Sequence, residues 1–109
     1  MFRKNMTLEQ FRALLAHSSA PRGLSNPLRA MWEDARGNWD AAHAIAQDID
    51  DRTGSWIHAY LHRKEGDVGN AGYWYRRASQ PVARDTLEQE WERIVSALLG
   101  AGDALLDDK

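Results

Sequence analysis

His58 and His62 stand four residues apart in the string Trp56-Ile57-His58-Ala59-Tyr60-Leu61-His62. On an α-helix that spacing sets the two rings on one stripe, about 40° apart around the axis, so both imidazoles can reach a single metal ion or small ligand. His43, Glu33, Glu65 and Asp67 carry the donor types that would complete such a set. Arg29 and Glu33 show the same spacing earlier in the chain. The candidate ligand-binding residues are therefore Arg29, Glu33, His43, His58 and His62, with His58 and His62 as the metal ligands if an ion is held. The competing role is structural, because His, Arg and Glu at a helix interface commonly satisfy one another's hydrogen bonds and fix how the helices pack. Metalloprotease chemistry has no support: no glutamate follows His58, where a zincin carries its general base.

Other chemistries are excluded more simply. The chain has no cysteine, which removes disulfides, thiolate metal sites and a cysteine nucleophile. Asp48, Asp50 and Asp51 lack the spaced carboxylates and terminal glutamate of a calcium loop. No phosphate-cradling glycine loop or nucleophile elbow is present, and Ser79 and Ser96 fall at the end of, or within, helical segments without an evident base. No cofactor is expected. With 14 basic and 16 acidic residues the net charge is −2, a poor footprint for nucleic acid. Arg63-Lys64 and Arg76-Arg77 offer charge for an acidic group, although such runs usually form a solvated face. No window reaches the roughly 18 apolar residues of a membrane span, and polar residues rather than an apolar stretch follow Arg3-Lys4, so a cytoplasmic protein without a membrane partner is expected.

The elements that must position these side chains read as helices throughout, in one domain spanning residues 1–109. Thr7-Leu8-Glu9-Gln10 has the form of a capping box and opens a helix over about 8–17. The segment 18–27, rich in Ser and Pro with Gly23, is a surface connection, with Asn26 as the expected cap and Pro27 in the first helical position. Leu28, Met31, Trp32 and Ala35 then mark one helix face, Gly37-Asn38 interrupts it, and Trp39, Ala42, Ala46 and Ile49 mark another. After a polar break at 50–55, Ile57, Tyr60 and Leu61 give a third face, Gly66-Asp67 a second turn, and Val68, Ala71, Tyr75 and Ala78 a fourth. A shift of 29 residues superimposes Leu28 on Ile57, Ala30 on Ala59, Gly37 on Gly66, Asn38 on Asp67 and Ala42 on Ala71. Thr86-Leu87-Glu88-Gln89 copies the first capping box and opens a last helix over about 87–99.

The stretch Gly66-Asp67-Val68-Gly69-Asn70-Ala71-Gly72-Tyr73-Trp74-Tyr75-Arg76-Arg77-Ala78 resembles the turn and second helix of a tetratricopeptide or Sel1-like repeat, and Gly37-Asn38-Trp39-Asp40-Ala41-Ala42 is a looser copy. The string from Trp56 through Ala78 also resembles a group of small bacterial and fungal proteins without an assigned activity. The resemblance covers roughly residues 28–82 and implies an all-α fold. Two tandem helix-turn-helix units, at about 27–50 and 56–79, would be flanked by N- and C-terminal capping helices. It implies no catalytic residues. Two departures stand out. Free-standing solenoids usually need three or more units, and polar Arg29, Glu33, His58 and His62 occupy first-helix positions that such repeats generally fill with apolar side chains.

Two functions follow as expectations. One is a helical-repeat module that binds a protein, a peptide or a second copy of itself, with Trp56 and Tyr73 as the partner surface because both lie off their apolar stripes, whereas Trp32, Trp39 and Trp91 fit a core. The alternative is a small-ligand or metal-binding protein, with an enzyme among the options, built on the polar His/Glu/Arg cluster between the repeat helices. Histidine nitrogens facing a cavity favour the second reading, and enclosed, fully bonded ones the first.

Overall fold

Five of the six described α-helices begin where a side chain supplies an acceptor for the free amides. In the computed structural model, which describes residues 6–101, the elements are α1 (Leu8–Ala13), a 3₁₀ turn (Leu14–Ala16), α2 (Asn26–Ala35), α3 (Trp39–Gln47), α4 (Arg52–Lys64), α5 (Val68–Ala78) and α6 (Leu87–Gly100). The pair Arg3-Lys4 lies outside the described residues. Both capping boxes form: Thr7 Oγ1 accepts from Gln10 N at 3.1 Å and Thr86 Oγ1 from Gln89 N at 3.0 Å, and each glutamine side chain returns a bond to the threonine amide. Among the described residues the regular structure is all helix.

Three local expectations shift. α1 tightens after Ala13, where the carbonyls of Leu14 and Leu15 accept from Trp32 Nε1 of α2 and from Nη1 of Arg36, the residue that follows it, both at 2.9 Å. The cap of α2 is Ser25 rather than Asn26. The helix opens on Asn26 and puts Pro27, which has no amide, in the second position, so the donor within reach of the cap is Leu28 N, which Ser25 Oγ meets at 3.4 Å. α4 starts at Arg52, inside the expected polar break, capped by Asp51 Oδ1 accepting from Gly54 N at 3.0 Å. Gly54 is not a helix breaker there. A Cβ at Gly54 would sit 2.0 Å from the Ile49 carbonyl oxygen, so the missing side chain lets the start of α4 pass against the residue after α3.

The two interhelical turns share one hydrogen-bond pattern. Gly37, at φ +87°, donates to Asp34 O and Asn38 N donates to Glu33 O, both at 2.9 Å. Gly66, at φ +91°, donates to Arg63 O at 3.0 Å and Asp67 N to His62 O at 2.9 Å. This is the Schellman closure, in which a left-handed glycine turns the last carbonyls back on the chain. It fixes where α3 and α5 leave the ends of α2 and α4.

α4 is the central helix and packs against α2, α3, α5 and α6. Every residue from Ile57 to His62 is buried, so the middle of this helix is covered on all its faces, with its exposed residues kept to the ends. The main core gathers Phe11, Leu28, Met31, Trp32, Ile57, Leu61, Trp91, Ile94, Val95 and Leu98, and a smaller cluster of Ala59, Ala71 and Tyr75 lies between α4 and α5. Each large buried side chain contributes about 1.5–3 kcal/mol. Two buried carboxylates bind the helices to one another. Asp34 accepts from Tyr60 OH and Lys64 Nζ, each at 2.9 Å, tying α2 to α4. Glu90, fully buried, accepts from Arg63 Nη1 at 2.7 Å and Tyr75 OH at 2.6 Å, tying α6 to α4 and α5.

Candidate functional site

His58 and His62 lie on α4 as their spacing requires, and the α2–α3 hairpin brings His43 up to them. One ring nitrogen from each of the three histidines lies within 4.8 Å of the other two. His43 Nε2 and His58 Nε2 are 2.8 Å apart, so in the neutral pair one nitrogen donates and the other accepts. His62 Nδ1 donates to Glu65 Oε2 at 2.7 Å, which leaves the lone pair on Nε2, where Asn70 Nδ2 approaches to 3.5 Å. A carboxylate holding the far nitrogen of an imidazole is the usual support behind a metal-binding histidine: it fixes the tautomer and orients the ring.

Aromatic rings hold this arrangement. His58 stacks on Trp74 with centroids 4.0 Å apart and planes 7° from parallel, and on its other neighbour His62 at 4.9 Å and 18°. His43 stacks on Trp39 at 4.9 Å and meets His58 edge-on. Trp39 is itself fixed, since its Nε1 donates to Leu61 O of α4 at 2.9 Å. Three helix faces converge: Trp39 and His43 of α3, Ser55, His58 and His62 of α4, and Asn70, Trp74 and Arg77 of α5, each set at helical spacing. All of these except Trp39, which backs His43, border with neighbouring side chains a half-open cavity of about 740 Å³, within the size range of small-molecule sites.

The electrostatics favour the neutral form of His58 and His43. Burial, and then the proximity of His43 and His62, push His58 down to about 4 from an ordinary 6.5. His43 is lowered by burial first and by His62 second, with Glu65 and Asp40 opposing. Neutral imidazole is the form that binds metals. A tetrahedral zinc with nitrogens at about 2.0–2.1 Å sets its ligand nitrogens roughly 3.3 Å apart, so the present cluster needs ring shifts on the order of 1 Å to close on an ion. A second acidic group, His62 with Glu65 and Asp67, is explained locally, because Glu65 bonds His62 and Asp67 Oδ1 caps α5 by accepting from Asn70 N at 3.2 Å.

Arg29 and Glu33 are not brought to the histidines. Leu28, Ala30, Met31, Trp32 and Asp34 take the buried arc of α2, which turns Arg29 and Glu33 outward to border a separate pocket against residues 19–24. Glu33 Oε1 accepts from Asn38 Nδ2 at 2.8 Å. Trp56 is half-buried against both core clusters, whereas Tyr73 is 45% exposed beside Trp74 and Arg77. Sequence reading missed Ser55, three residues before His58, and Asn70 and Trp74, and it took Arg77 only as part of the charged run Arg76-Arg77 and not as one stripe with them; the spacing was the available signal.

Compared with protein-family models, with curated proteins and with solved structures, the chain matches none.

Proposed function

We propose that this protein is a helical module that binds a divalent transition-metal ion through His43, His58 and His62, at the wall of a cavity able to admit a small molecule. The observation that carries this reading is the convergence of three imidazole nitrogens within 4.8 Å, with Glu65 bonded behind one of them. Three neutral nitrogen donors suit zinc, copper, nickel or iron better than calcium or magnesium, which favour oxygen. Among the described residues the group ends at three, and an ion held by three protein ligands keeps a position open for water or a substrate.

The architecture behind the site is read as two tandem helix-turn-helix units of tetratricopeptide-like kind, α2–α3 and α4–α5, with α1 and α6 as caps. The matching Schellman bonds at Gly37 and Gly66 support that reading. A protein- or peptide-interaction role draws support from a different feature, the exposed Val68 and Tyr73 on α5.

Thermal unfolding of the metal-stripped protein tests the metal reading. At a free ion concentration 100 times Kd the native state gains about 2.7 kcal/mol, which for a domain of this size raises Tm by roughly 10–20 °C. The gain should be lost in His43→Ala/His58→Ala. Zinc, copper, nickel and cobalt all failing to raise Tm, or a rise that the double variant keeps, would refute the site and leave α5 as the surface to test against partner peptides.

A further inference from the structure

The open coordination position suggests what the ion would hold. Three neutral imidazoles leave the full charge of a divalent ion uncancelled at its first shell, and Glu65, bonded to the outer nitrogen of His62, offsets one unit from behind. The incoming ligand that completes such a centre is an anion. The cavity wall has donors for one. Arg77 borders it with its guanidinium restrained over the Trp74 ring at 5.4 Å and the Tyr73 ring at 5.9 Å, and it donates to Tyr73 OH at 3.5 Å, the long limit of a hydrogen bond. Ser55, 7% exposed, and Asn70 line the same space.

The wall also limits the charge. Asp50 and Asp51 stand at the cavity, and Asp51 is committed to capping α4 through Gly54 N. Arg52 and Arg77 on the same wall balance these two carboxylates, so the ion with Glu65 behind it leaves about one positive charge, which a monoanion balances and a dianion such as phosphate exceeds. Ala46, Ile49 and the Trp74 ring form an apolar part of a wall that also carries Gln47 and Arg52, enough to cover a short hydrocarbon. Resting on the metal reading above, we infer that the site takes a small monocarboxylate, bound through its carboxylate to the metal ion and to Arg77. The guanidinium is the natural partner, because its planar fork matches a carboxylate.

Cobalt(II) provides the test, since its visible spectrum reports coordination directly. Equilibrium dialysis first establishes whether one cobalt binds per chain. The loaded protein is then titrated with acetate, lactate, phosphate and the uncharged acetamide, and acetate and lactate should give saturable spectral changes that acetamide does not. Arg77→Gln should weaken lactate binding about tenfold or more while changing cobalt affinity less than about twofold, as expected for the loss of one charged hydrogen-bond partner. Arg77 is exposed, so this variant should fold, which circular dichroism checks. Failure to bind cobalt overturns this inference as stated, and failure of zinc, copper and nickel in the same dialysis defeats the metal reading with it. Cobalt binding without a carboxylate response, an equal response to acetamide, tighter binding of phosphate, or an unchanged Arg77→Gln titration each overturns the monocarboxylate alone.

Discussion

Replacing Glu90 should cost this small domain a large share of its stability. The side chain is fully buried where α6 meets α4 and α5, with one oxygen accepting from Arg63 at 2.7 Å and the other from Tyr75 at 2.6 Å. Glu90→Ala leaves the buried Tyr75 hydroxyl without its acceptor, a loss of about 1–3 kcal/mol. It also removes the counter-charge of Arg63. That side chain is 21% exposed and keeps its bond to the Asp85 carbonyl, which holds the total near the lower end of the roughly 3–5 kcal/mol typical of breaking a buried ion pair. At about 4–8 °C per kcal/mol for a chain of this size, Tm should fall by roughly 12–24 °C. Burial, with the Glu90 carboxylate next, pushes the Tyr75 phenol upward, so Tyr75 stays a donor throughout the neutral range. A double-mutant cycle with Tyr75→Phe, read by urea unfolding, isolates the tyrosine share and should return a coupling of about 1.5–3 kcal/mol. A loss below about 1 kcal/mol for Glu90→Ala, or additive single variants, would refute the claim that this carboxylate holds the last helix in place.

Gly54→Ala gains up to about 1 kcal/mol of helix propensity, but its Cβ meets the Ile49 carbonyl oxygen at 2.0 Å, so chemical denaturation should show a net loss of about 2 kcal/mol or more. Unchanged or increased stability would contradict the close approach at the start of α4. Ser79 ends α5 in the left-handed region at φ +57°, and Ser79→Gly should stabilise by about 0.5–1 kcal/mol in the same assay, whereas a loss would show that the serine is not strained there. In metal-free protein, His58 titrates near 4 when folded and near 6.5 when unfolded. Because the folded value is the lower one, the unfolded chain takes up a proton first as pH falls. Stability should therefore drop by about 3 kcal/mol between these two values, with His43 acting in the same direction. Urea titrations at several pH values check this, and a His58→Asn variant with an equally steep acid drop would contradict it.

The helices were legible because their boundaries rest on local chemistry. Thr7 with Gln10, Thr86 with Gln89, and the turn glycines Gly37 and Gly66 each act within a few residues, and such signals survive in a bare sequence. The start of α4 was hidden because Gly54 serves a contact with Ile49, which no propensity encodes. At the site, the His58–His62 spacing was legible for the same local reason. The approach of His43 and Trp74 depends on how α3 and α5 pack on α4, and the outward turn of Arg29 and Glu33 depends on which arc of α2 is buried. Asp34 and Glu90 escaped notice although both fall on apolar stripes, Asp34 four residues after Ala30 and Glu90 four before Ile94. A carboxylate in such a position signals a buried network.

The claim that three histidines hold one metal ion is tested most directly by X-ray absorption at the zinc edge, on protein loaded with a single equivalent of zinc. The account predicts a four-coordinate ion with three imidazole nitrogens at about 2.0–2.1 Å and one further light-atom ligand, reduced to fewer imidazoles in His43→Ala. A shell of oxygens alone, or an imidazole count that His43→Ala leaves unchanged, would contradict it.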